Sequence, residues 1–145
     1  MPARQLLIFK IGCIAAILTA LIHLAGHVSG APPPANETEV KLMDLATNYK
    51  AALPGGAHRS LMDLQTGFSL SYSLFLAMIG GAGIVVRRRA SGDPVLMLAV
   101  ARVFAGGGAV LLAISLSYFF IIPTICLAFV TVCFAIASVA SPAAG

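Results

Sequence analysis

The sequence predicts an all-α membrane protein: a four-helix transmembrane bundle with an amphipathic helix in the outward-facing loop between helices 1 and 2. Three observations carry that expectation. Hydrophobic residues fill 59% of the 145 positions and charged residues only 10%, whereas a soluble domain keeps roughly a quarter of its residues charged. Mean hydropathy is +0.98, so too few charges remain to cover a water-facing surface. The apolar residues also fall into four runs, with basic residues gathered at one end of them. A chain of this length forms one unit, a single transmembrane domain over 1–145.

The first span is expected over about 6–30. Arg4 and Lys10 ahead of an apolar stretch, with small residues at Val28-Ser29-Gly30, also fit a cleaved signal peptide. His23 interrupts the apolar region such a peptide requires, so the stretch reads as a retained helix with Lys10 snorkelling to the headgroups. Pro32-Pro33-Pro34 stops it, because proline donates no backbone hydrogen bond to a helix.

The outward loop, about 31–64, is the only substantial polar segment. Asn36 with Glu39 three residues on is a helix-start pattern. Leu42, Leu45, Ala46, Tyr49 and Leu53 follow at helical spacing, and Pro54-Gly55-Gly56 is expected to end that helix. Its apolar face suits the bundle or the membrane surface.

The second span is expected over about 67–86, stopped by Arg87-Arg88-Arg89. The run from Val95 to Ile122 is too long for a straight crossing of roughly 20 residues. Its membrane core is therefore expected over about 103–122, with Arg102 at the interface and Pro123 closing the helix. The fourth span follows over about 124–140, before Ser141-Pro142.

Arg4, Lys10, Arg87, Arg88, Arg89 and Arg102 all fall on the side of the termini, while Lys41, Lys50 and Arg59 in the loop are balanced by carboxylates. The positive-inside rule then puts both termini in the cytoplasm. Arg87, Arg88 and Arg89 also suit anchoring to anionic lipid headgroups. The net charge of +4 reads as a topology signal, and no aromatic residues interleave with a basic stripe, so no nucleic-acid partner is expected. Cys13, Cys126 and Cys133 lie in apolar stretches without a C-x-x-C pair, as free packing thiols.

Small residues recur at Gly12, Ala16 and Ala20, at Gly80, Gly81 and Gly83, and from Gly106 to Gly108. They let helix backbones approach where lipid supplies little hydrophobic drive. Nothing repeats between the two halves, which leaves an inverted-repeat transporter unsupported.

The candidate site is an outer-face polar cluster of His23, His27, Asn36, Glu39, Arg59, Asp63, Gln65 and Tyr118. Polar groups near hydrocarbon are costly and therefore functional suspects. One reading is a hydrogen-bonded cluster of His23, His27, Arg59, Asp63 and Gln65 that pins the loop to the bundle. A second is a transition metal or haem held by His23 and His27, which share a helix face but need further ligands. A third is a pocket for a lipid, a quinone or another small molecule. No serine-nucleophile motif is present, and Ser69, Ser71 and Ser73 suit hydrogen bonds to their own helix.

The stretches Pro34-Ala35-Asn36-Glu37-Thr38-Glu39, Leu53-Pro54-Gly55, Arg59-Ser60-Leu61-Met62-Asp63-Leu64 and Gly67-Phe68-Ser69-Leu70, together with His23-Leu24-Ala25-Gly26-His27, resemble a family of small four-helix inner-membrane proteins of bacteria. The likeness spans roughly the first 90 residues, and hydropathy alone extends it further. It implies a bacterial inner (cytoplasmic) membrane location and the same topology, and it transfers no activity. With almost no chain outside the membrane, the expected role is that of an accessory or scaffolding subunit of a membrane assembly, or of a homo-oligomer. The expected partners are membrane lipids, other membrane subunits or copies of itself. A metal- or haem-binding redox protein is the alternative, and a solute pathway is poorly supported by so few intramembrane charges.

Overall fold

The computed structural model describes residues 1–30 and 32–139. The first loop position, 31, the last residue of the expected fourth span, 140, and Ser141-Pro142 lie outside the described residues. Five helices follow in order: α1 (Ala3–Val28), α2 (Glu37–Asn48), α3 (Leu61–Ala90), α4 (Pro94–Tyr118) and α5 (Ile121–Ser138). All but α2 are long and apolar enough to cross a membrane.

The long helices outrun the apolar stretches because local chemistry starts them early. Ser60 accepts from the Asp63 N–H while the Asp63 carboxylate accepts from the Ser60 N–H, a reciprocal cap that begins α3 at Leu61, ahead of the apolar run at Gly67. With 30 residues, α3 is roughly 45 Å long at 1.5 Å per residue, longer than a hydrocarbon core of roughly 30 Å. Asp93 accepts from the Val95 and Leu96 N–H groups and Pro94 fills the first helical position, so α4 also starts before its expected span.

Pro123 does not close the third span. α4 ends at Tyr118, and Pro123 sits in the first turn of α5, where its missing N–H has no helical partner to lose. The Ser115 and Thr124 hydroxyls, 2.8 Å apart, hydrogen-bond across this two-residue connection and tie the helices together.

The loop helix ends earlier than its sequence pattern suggests. α2 stops at Asn48, and Tyr49 is extended. Pro54-Gly55-Gly56 turns a hairpin whose two-residue strands, β1 (Ala51–Ala52) and β2 (His58–Arg59), pair antiparallel with Ala51 opposite Arg59. The fold therefore carries a small β element that an all-α expectation omits. Gly55 and Gly56 have φ of +87° and +79°, a region glycine enters without strain. No residue of α2 is buried, and Val40, Leu42 and Leu45 are each more than half exposed.

α1 packs extensively against both α3 and α5, α4 packs on α5, and the α3–α4 contact is slighter. The main core lies at the end carrying the termini. Phe9, Phe104 and Phe134 form an aromatic triad with ring centroids 5.1 to 6.0 Å apart, among buried Cys13, Met97, Ala101 and Val130. Glycines set the helix spacing. A Cβ on Gly80 would lie 2.5 Å from the Cys13 carbonyl oxygen, and one on Gly12 would lie 3.0 Å from both Cys133 and Phe134. Gly81, Gly106 and Gly107 face open space and take no part in this packing. Toward the loop end the buried apolar cluster thins to Ala20, Leu76 and Leu127.

Candidate functional site

Above that thin cluster the helices enclose a groove of about 980 Å³ at the loop end. α1 contributes Thr19, His23, Gly26 and His27, and α3 contributes Gln65, Ser69 and Tyr72. On each helix these positions recur every three or four residues, so they form one stripe facing the other helix. Phe119 and Phe120 from the α4–α5 connection, with Ile122, Pro123 and Cys126 from the start of α5, make an apolar wall.

His23 is the focal residue. Its ring meets the Tyr72 ring edge-on with centroids 4.8 Å apart. Its Nε2 is buried without a hydrogen-bond partner. A buried polar atom left unpaired costs about 1–3 kcal/mol, a penalty relieved when a shift of the ring brings Nε2 to a polar partner. Thr19 and Ser73 instead spend their hydroxyls on their own helices, donating to the Ala15 and Ser69 carbonyls.

The polar residues expected to cluster here are divided among separate places. His23, His27 and Gln65 line the groove. Asn36 and Glu39 cap α2: the Glu39 N–H donates to Asn36 Oδ1, and the Glu39 carboxylate accepts from Asn36 Nδ2 and the Ala35 N–H. Asp63 caps α3, and Arg59 donates from Nη1 to the His58 carbonyl. Tyr118 is 82% exposed at the end of α4 and does not line the groove. The expected hydrogen-bonded cluster pinning the loop to the bundle is therefore not formed among the described residues. Helix capping is local and satisfies orphan backbone groups, so it takes these side chains first.

Arg59 and Asp63 instead meet Lys50 in a shallow surface pocket of about 690 Å³, on the other side of Phe68 and Leu64, which border both spaces. Asp63 sits in the capping turn ahead of the apolar run. The Ser60 N–H holds its carboxyl below the ordinary range, helped by the Ser60 hydroxyl and then by the Lys50 and Arg59 charges.

No group of three or more His, Cys, Asp or Glu side chains able to hold a metal ion occurs among the described residues. His23 and His27 thus supply two imidazoles without a third protein ligand, short of the usual complement for a transition metal. At the opposite end, Arg88 and Arg89 are exposed. Arg87 is half-buried and donates from Nε to the Leu6 carbonyl at 3.0 Å, fastening α3 to α1.

Tyr72, Cys126, Phe119 and Phe120 were not expected in the site. The spacing Gln65–Ser69–Tyr72 was a usable signal for Tyr72, since it matches the stripe on α1. Nothing in the sequence pairs the α4–α5 connection with either. Comparisons with family models, with curated proteins and with solved structures find no match to this chain, so the reading of the site rests on its own geometry.

Proposed function

We propose that this membrane protein binds a mostly apolar small molecule with a neutral, hydrogen-bonding head in the groove at its loop end. The observation that carries the reading is the groove's lining. Aromatic and aliphatic walls surround His23, His27, Gln65, Ser69 and Tyr72, and no Lys, Arg, Asp or Glu borders it among the described residues. Its volume of about 980 Å³ falls in the range of small-molecule sites, which are mostly apolar with a few convergent polar groups. A charged head would enter a low-dielectric space without a counter-ion, at high cost. A quinone, a prenol or a diacylglycerol meets the requirement: its oxygens engage Tyr72 and His23, and its tail runs along the aromatic wall.

Gly26 supplies the test. It lines the groove, and a Cβ there meets nothing within 4 Å. Gly26→Phe is therefore expected to fill the groove without disturbing the bundle. Native mass spectrometry of protein extracted gently, then incubated with a short-chain diacylglycerol or a prenylated quinone, should show a retained adduct in wild type and none in Gly26→Phe. Equal adducts in both proteins, or none in either, would overturn the proposal.

In this reading the chain resides in a bacterial inner membrane with cytoplasmic termini, and α2 lies on the outer membrane surface. Leu42 and Leu45, three residues apart on one face of α2 and both more than half exposed, then face lipid. A role as an accessory subunit or homo-oligomer is supported by a separate observation. α4 is the least buried of the four long helices, and Gly106 and Gly107 on it face open space. Purification in mild detergent tests that role, which predicts a defined oligomer or a stoichiometric partner; a clean monomer contradicts it.

A further inference from the structure

We propose that the shallow pocket beside the groove holds a phospholipid headgroup that carries both a phosphate and a free primary ammonium, the chemistry of phosphatidylethanolamine. The inference is independent of the groove and its ligand. Lys50 and Arg59 line the pocket with Asp63 as its only carboxylate among the described residues, which present two positive charges and one negative. That pattern complements a phosphate diester bearing an ammonium better than a singly anionic head, which Asp63 would repel. The Asp63 side chain has one oxygen, Oδ2, bonded to the Ser60 N–H, which leaves Oδ1 to accept from an ammonium. Arg59 spends Nη1 on the His58 carbonyl and keeps further N–H donors for phosphate.

The fold brings these groups together from two elements. The hairpin pairs Ala51 with Arg59, which sets Lys50 at the mouth of the same ladder, and the cap of α3 places Asp63 just beyond it. Polarity then changes along α3 in the order a phospholipid demands. Charges come first, then Gly67, then Phe68 and Leu70, which are 75% and 48% exposed beside the pocket. α3 is long and apolar enough to cross a membrane, so in a bilayer this sequence of groups runs from the headgroup layer into the acyl layer. The headgroup sits at the hairpin and an acyl chain lies along Phe68 and Leu70.

The test is lipid-resolved native mass spectrometry of the full chain, titrated with phosphatidylethanolamine and phosphatidylglycerol of identical acyl chains. Wild type should retain phosphatidylethanolamine a few-fold better, the scale expected of a charge pair at an exposed site. Asp63→Asn keeps a side-chain oxygen for the Ser60 cap and should erase or invert that preference. Lys50→Gln, which lies outside every helix and cap, should weaken both lipids, and Lys50→Gln with Arg59→Gln should abolish specific retention. Gly26→Phe should leave all of these values unchanged, which separates this site from the groove. Equal retention of the two lipids by wild type, or a preference unaltered in Asp63→Asn, would overturn the proposal. Glycerophosphoethanolamine has the head without the chains and should compete poorly; competition equal to that of the lipid would refute the membrane source.

Discussion

The two halves of the bundle are built differently. At the end carrying the termini, three phenylalanine rings interlock, Phe9, Cys13, Met97 and Ala101 are wholly buried, and glycines bring α1 against α3 and α5. At the loop end, among the described residues, only Ala20, Leu76 and Leu127 form a buried apolar cluster, and above them the same helices part around a groove. Lipid supplies little drive for helices to associate, so close packing of small residues and rings must supply it. One half concentrates that packing, and the other holds polar groups at positions where packing is relaxed. A rigid base under an open, polar-lined space is how binding sites are commonly positioned.

Substitutions that break this contrast differ in size. The largest effect is expected from Gly80→Val, because even a single Cβ at that position would press on the Cys13 backbone carbonyl, which cannot rotate aside. Overpacking of this kind costs about 1–3 kcal/mol, and α1 and α3 should separate. A thiol-reactive dye followed during heating should show Cys13, buried in the native state, reacting at a much lower temperature. Arg87→Gln comes next. It removes a charge-assisted bond to the Leu6 carbonyl, worth about 1.5–3 kcal/mol when such bonds are isolated and less at a half-exposed site. The same dye assay should report a smaller drop.

Thr124→Val acts at the other end. It deletes the hydroxyl pair that joins α4 to α5 at the groove wall, with a cost of ~1 kcal/mol. Its clearer consequence should be weaker ligand retention, since Phe119 and Phe120 are no longer held in register. Gly26→Phe should change melting least of all, because a Cβ there meets nothing within 4 Å and the ring has the groove to occupy. It should nevertheless abolish binding in the groove. Loss of binding together with a large fall in melting temperature would mean that the groove is part of the structural core.

Most of the architecture was legible in hydropathy, because four apolar runs with one polar loop leave few alternatives. The helix boundaries were less so. Ser60–Asp63 and Asp93 begin helices within polar sequence, where an apolar-run reading has no sensitivity. Pro123 reads as a terminator but serves equally well in a first turn. Pro54-Gly55-Gly56 reads as a helix stop and turns a hairpin instead. At the site, His23, His27 and Gln65 were identifiable as costly polar groups in an apolar setting. Asn36, Glu39 and Asp63 looked equally suspicious, yet short-range caps absorb them. Sequence spacing cannot rank a local cap against a contact between helices. Phe119, Phe120 and Cys126 could not be assigned to the groove before the packing of α5 on α1 was known.

The three native cysteines offer the most direct test of the central claim. Cys126 borders the groove, whereas Cys13 and Cys133 are buried in the bundle. Membranes containing the protein can be treated with N-ethylmaleimide and each thiol followed by peptide mass spectrometry, with and without added prenylated quinone or diacylglycerol. The account predicts that Cys126 reacts well ahead of Cys13 and Cys133, and that one of these amphiphiles slows Cys126 in wild type but not in Gly26→Phe. Equal rates at all three cysteines, or no protection of Cys126 by either amphiphile, would contradict it.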